Sequence, residues 1–162
     1  MKPAPEGTRG FSLVEISIAL GVAAFCLLAV VGLLQAGLTS EQATVGKTAA
    51  WGILSSVSAD LLATPATNSA SPAYGISFSS FNAPQTVYFT KAGVPTGPLG
   101  NAPTADSYFR ASVGLQDPGA NTVAPTLARL LVTWPAAVDP QPDTWPTKAT
   151  GSVEVVTALR RN

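Results

Sequence analysis

The sequence predicts an α+β protein, with one long N-terminal helix packed on a small antiparallel β-sheet. Three observations predict it. The run Ile16–Leu38 is apolar, and after Glu15 no charged side chain occurs until Glu41. The next stretch, Ser40–Ala63, keeps apolar residues three and four apart, the spacing of one helix face. Beyond Pro65 that period is gone, and short β-branched and aromatic runs alternate with Pro, Gly, Asn and Asp.

As a helix, Ile16–Leu38 would span about 34 Å at 1.5 Å per residue, enough to cross a hydrocarbon core of roughly 30 Å. Just before it stands Arg9-Gly10-Phe11-Ser12-Leu13-Val14-Glu15, behind a short leader that also carries Lys2. A carboxylate at the mouth of such a run is costly to bury and needs a partner. That makes Glu15 the most informative residue in the chain. Position alone also allows a plainer role, an interfacial side chain reaching back to headgroups. An ordinary secretory signal has 7–15 apolar residues and then a small-x-small cleavage site. Here the run is longer, opens on a glutamate and lacks a clear site of that kind. A lipoprotein signal fails as well, because the bulky Phe25 precedes Cys26.

The helical pattern continues past the apolar run. Ala50, Ile53, Leu54, Val57, Leu61 and Leu62 share one face, while Gln42, Lys47, Ser55, Ser58 and Asp60 fall mostly elsewhere. Pro65 and the polar residues after it end the helix, which is expected over residues 11–63. Gly21, Gly32 and Gly37 each cost about 1 kcal/mol relative to Ala in a water-exposed helix, and in a membrane permit close packing.

Five strand-like runs follow: Ile76–Phe81, Thr86–Thr90, Tyr108–Leu115, Leu127–Trp134 and Val153–Leu159, with a turn at Lys91-Ala92-Gly93. In the third, Phe109, Ala111, Val113 and Leu115 alternate with Tyr108, Arg110, Ser112 and Gly114. This is the pattern of an antiparallel meander with one face on the helix. Pro135–Gly151 is a long irregular connection, of a length that is often functional or mobile.

Composition removes several function classes. Lys and Arg total nine, as do Asp and Glu, so no basic field awaits nucleic acid. Histidine is absent, and Cys26 is the sole cysteine. The usual zinc, copper and iron ligands are therefore missing, as are Ser-His-Asp and Cys-His catalysis, and no internal disulfide can form. No catalytic, metal or cofactor site is expected. Gly46-Lys47-Thr48 lacks the upstream glycine and strand of a phosphate-binding loop. Asp117, Asp139 and Asp143 match no calcium-loop spacing and read as solvated turn residues. Cys26 reads as a small apolar side chain, Trp134 as core, and Trp145 as a surface contact.

The segment Gly10-Phe11-Ser12-Leu13-Val14-Glu15 and its apolar continuation resemble the class III signal peptide of type IV pilins and type II secretion pseudopilins. The resemblance implies cleavage after Gly10 by a membrane-embedded aspartyl peptidase, and methylation of the new amine on Phe11. It also implies that Glu15 pairs with the N-terminal amine of a neighbouring subunit, setting axial register. The implied layout is pilin-like: residues 1–10 a prepilin leader, 11–38 a transmembrane and assembly helix, 39–64 its amphipathic continuation, 65–162 an exported β-sheet domain. Many pilins close their C-terminal region with a disulfide. This chain cannot, which favours a minor pseudopilin over a major adhesive pilin.

A narrower resemblance is to small pilin-like proteins called Verru_Chthon cassette protein B. It rests on Gly32-Leu33-Leu34-Gln35-Ala36-Gly37-Leu38, Val87-Tyr88-Phe89, Tyr108-Phe109-Arg110-Ala111 and Val132-Thr133-Trp134-Pro135-Ala136. The expected function is a structural subunit and not an enzyme. Its expected partners are a prepilin peptidase/methyltransferase, other pilin or pseudopilin subunits, and the bacterial inner membrane, crossed once with the C-terminal domain outside the cytoplasm. The alternative is an unprocessed, signal-anchored extracytoplasmic binding domain.

Overall fold

The computed structural model describes residues 10–81, 83–97, 99–100, 102–117, 119 and 125–160, apart from the side chains of 36 and 38–43. Leader residues 1–9, Lys2 and Arg9 among them, lie outside the described residues. The fold is α+β. Helix α1 runs over Leu13–Ala63, starting two residues later than expected and unbroken because no proline removes a backbone donor. Strands β1 (Gln85–Phe89), β2 (Phe109–Leu115), β3 (Thr126–Trp134) and β4 (Gly151–Leu159) follow, with a 3-10 turn at Ala136–Val138.

The chain divides into two compact units, Met1–Gln42 and Ala43–Asn162. Of the first, Leu13–Gln35 is a 23-residue helix long and apolar enough to cross a membrane, with none of it buried inside the chain. Its apolar side chains face outward all round, from Leu13 to Leu34. A helix apolar on every side finds its low-energy surroundings in lipid, not in water.

In the second unit the strands form one antiparallel sheet in the order β1-β2-β3-β4. Its inner face is set by register: Val87, Ala111, Val132 and Val153 stand opposite one another across all four strands. Against them pack Ala50, Ile53, Leu54, Val57 and Leu61 of α1, the face read from the periodicity. Burying each of the larger side chains stabilises the unit by about 1.5–3 kcal/mol. Leu62, placed on that face by spacing, is instead 55% exposed. The helix end is tied down by Asp60, whose carboxylate accepts from Ala73 N at 3.2 Å and Tyr74 N at 3.3 Å.

Ile76–Phe81 is not a strand. It forms only an isolated bridge, Ala70 to Ser77, because other partners take its backbone groups. Ile76 N donates to Ser71 Oγ at 3.1 Å, and Ser77 N to Gln85 Oε1 at 2.6 Å. Gln85 Nε2 returns a bond to Ser77 O at 2.7 Å, so a side chain occupies the place of a neighbouring strand.

The second departure concerns β2. Both its faces are buried, and Arg110 and Ser112 are 0% exposed. The cover is the connection after β3, which folds back over the sheet's outer face instead of looping into solvent. It opens with a cis bond between Trp134 and Pro135. Trp145, expected as a surface contact, is half-buried over Gly114, where a Cβ would lie 2.5 Å from the indole Cζ2. Trp134 is core as expected, at 7% exposure. It lies so close over Gly151 that no side chain fits there.

Candidate processing and assembly site

Gly10, Phe11 and Ser12 precede the helix in open backbone, and Gly10 and Phe11 are exposed. Nothing lies within 4 Å of a Cβ built on Gly10. Among the described residues, none is packed against Gly10. Ser12 O accepts the first helical bond, from Ile16 N at 3.1 Å, which puts Ser12 at the N-cap and Glu15 three residues on. Ser-x-x-Glu at that position is the spacing of a capping box, a local signal that the reading of Glu15 as an assembly residue overlooked. An anionic side chain in a first helical turn also stabilises it by about 0.3–1 kcal/mol through the helix dipole.

Glu15 is exposed and stands in an open groove of about 420 Å³ with Phe11, Ile16, Ala19, Leu20 and Ala23. Ala19 and Ala23 are the small residues lining it, and its one charge is the carboxylate. The three residues singled out in sequence, Gly10, Phe11 and Glu15, are therefore gathered at one helix end. Cys26 is exposed further along the same apolar helix.

A second polar cluster, not read from sequence, lies on the outer face of the sheet. Arg110 Nη1 donates to Asp139 O at 2.8 Å and sits 3.3 Å from Asp139 Oδ1. Its Nη2 donates to Thr144 O, and at 3.2 Å to Thr144 Oγ1. Asp139 Oδ2 accepts from Thr147 N at 2.8 Å and from Thr147 Oγ1 at 3.2 Å. The Thr147 amide, then its hydroxyl and the Arg110 charge, hold the Asp139 carboxyl below its usual range against the opposing effect of burial. Tyr88 donates to Pro140 O at 2.9 Å, and burial pushes its phenol up. Asp143 N donates to Thr86 Oγ1 at 3.1 Å. This cluster fastens the 139–147 segment to β1 and β2. It is a clamp, built around a buried guanidinium whose Nε, like Ser112 Oγ, finds no partner among the described residues.

Beside the clamp, the Arg129 guanidinium lies 4.3 Å from the Trp145 ring centroid and bonds Glu154 Oε1 at 2.6 Å. The contact holds Glu154 below its usual carboxylate range and raises Arg129. The three loop aspartates are engaged separately: Asp139 as above, Asp117 with Gly119 N at 2.9 Å, Asp143 near Gly100. Among the described residues no three Cys, Asp or Glu side chains gather to hold a metal.

Comparison with protein-family models, with curated proteins and with solved structures finds no match.

Proposed function

We propose that the chain is a pilin-like structural subunit, cut after Gly10, N-methylated on Phe11 and assembled into a short filament of the type II secretion or type IV pilus kind. The observation that carries this reading is the segment Gly10–Glu15 immediately ahead of an apolar helix. Two features of the site support it. The Gly10–Phe11 bond lies ahead of the helix, between two exposed residues. Glu15 is exposed beside Ala19 and Ala23 on the apolar helix, where an opposite charge from a neighbour would meet it in lipid. A buried carboxylate tolerates lipid only when paired, so a subunit slipped from register is penalised.

In this reading the chain is a substrate of a prepilin peptidase/methyltransferase and not an enzyme. It crosses the bacterial inner membrane once, with the sheet domain outside the cytoplasm. The second reading, an unprocessed signal-anchored binding domain, is favoured by the Ser12–Glu15 capping spacing, which gives Glu15 a local role.

Intact mass and N-terminal analysis of the membrane-extracted chain, co-expressed with a prepilin peptidase, separates the two. A chain beginning at N-methyl-Phe11 is the expected result. A chain still beginning at Met1, beside a processed control, would leave the signal-anchored domain as the reading.

A further inference from the structure

The connection between β3 and β4 is pinned at both ends by backbone bonds. Ala136, 1% exposed, donates from its N to Tyr108 O at 2.8 Å, and Thr150 N donates to Trp134 O at 3.0 Å. Residues 137–149 lie between these pins, and none of them is buried. Among the described residues, every hydrogen bond from this stretch to the sheet uses a side chain. Arg110 reaches Asp139 and Thr144, Tyr88 reaches Pro140, and Asp143 N reaches Thr86 Oγ1.

The sheet surface beneath is polar as well. Thr86 stands opposite Ser112 and Tyr88 opposite Arg110, and all four are at most 3% exposed. When such a layer opens, bonds within the protein are exchanged for bonds to water at little net cost. Separating the inner layer would instead expose apolar side chains to water. Segments with few buried apolar contacts open separately from the core.

Charge decides when this segment opens. Arg110 is 0% exposed, and its counter-ion, Asp139, is carried by the 137–149 stretch. While Asp139 is ionised, closure pairs the two charges. Once Asp139 is neutral, closure holds a buried guanidinium without an opposite charge, which is strongly unfavourable. Opening returns water to that guanidinium. It also hydrates Arg110 Nε and Ser112 Oγ, which have no partner among the described residues.

We propose that residues 137–149 form a strap that lifts off the sheet as one unit when the Asp139 carboxylate takes a proton, leaving the sheet folded and uncovering Arg110. The Thr147 amide first, then its hydroxyl and the Arg110 charge, hold Asp139 below its usual range. Closure is therefore at full strength above the ordinary carboxyl value and is lost as pH falls through the lowered one. The other charged and titratable groups at the strap are Tyr88 beneath it, Asp143 and Lys148 within it, and the Arg129–Glu154 pair against Trp145. Glu154 is also held below its usual range, by Arg129, so it is the rival trigger.

The test follows residue-resolved amide exchange of the full chain in lipid nanodiscs between about pH 6 and pH 3, as protection factors that cancel the intrinsic effect of pH. The reporter is the Asp143 amide, which bonds Thr86 and not Asp139. Leu130 and Val132, in the central strand β3, report on the sheet. Protection at Asp143 should fall about threefold or more as pH drops, while Leu130 and Val132 keep theirs. Asp139→Asn should show the low value already at pH 6, with no further fall. Glu154→Gln and Asp143→Asn should fall as the wild type does. Four outcomes overturn the proposal: an equal loss at Leu130 and Val132, unchanged protection at pH 3, a wild-type fall in Asp139→Asn, or no fall in either of the other two variants.

Discussion

Arg110 Nη1 bonds the backbone carbonyl of Asp139 at 2.8 Å and lies 3.3 Å from that residue's carboxylate, so one guanidinium grips a loop residue twice. The pair joins the start of β2 to a segment 29 positions away. It converts what would be a free connection into a lid on the outer face of the sheet.

Arg110→Met should therefore cost more than its lost contacts, because it leaves the Asp139 carboxylate with its Thr147 partners alone and strands two loop carbonyls. The expected loss is about 3 kcal/mol, in the range for breaking one side of a buried pair. Urea unfolding of the purified chain, followed by tryptophan fluorescence, checks it. Unchanged stability would mean that the 139–147 segment contributes nothing to the fold.

The same clamp predicts an acid transition. Asp139 titrates below its ordinary value in the folded chain, chiefly through the Thr147 amide. A depressed carboxyl pKa contributes stability above the unfolded value and loses it as pH falls through the folded one. Stability should be level above about pH 5 and decline below about pH 4. Asp139→Asn should be less stable at pH 7 and show a shallower decline. Equal slopes for the two proteins would remove Asp139 from the acid response.

Gly114→Ala should drive Trp145 off the sheet, since the added methyl would meet its Cζ2 at 2.5 Å. The expected cost is about 1–3 kcal/mol, the usual range for overpacking. The double variant with Trp145→Ala should recover part of it. Strict additivity of the two losses would show that the residues do not share this contact.

The Ser12–Glu15 spacing fits a capping role for Glu15, the proposed function assigns it an assembly role, and substitution separates the two. Glutamine serves at the third position of a capping box as glutamate does, but it carries no charge. Glu15→Gln should leave α1 and its membrane insertion intact, yet reduce cross-linked multimers at least tenfold, the effect of about 1.4 kcal/mol of lost pairing. Wild-type multimer yield from the glutamine variant would assign Glu15 to the helix start alone.

The apolar span, the helix following it, its buried face and the order of helix then strands were legible in the sequence because each depends on local patterning. Hydropathy over twenty residues decides the preference for lipid, and spacings of three, four or two decide which side chains share a face. The motif Gly10–Glu15 is local too, though its Ser12 cap became clear only where the first helical bond fell. What tertiary structure alone decided depends on partners distant along the chain. Ile76–Phe81 has strand composition, but Ser71 and Gln85 capture its backbone groups first. Arg110 sits in an alternating strand at an outward position, yet Asp139 and Thr144 bury it. Tyr88 reaches Pro140, 52 residues on. Whether an edge is covered, as at β1, or without a partner among the described residues, as at β4, is likewise absent from local pattern. Val87 in β1 and Val153, Val155 and Val156 in β4 read alike as strand residues, and only the course of the connecting loops determines where the free backbone bonds of each strand go.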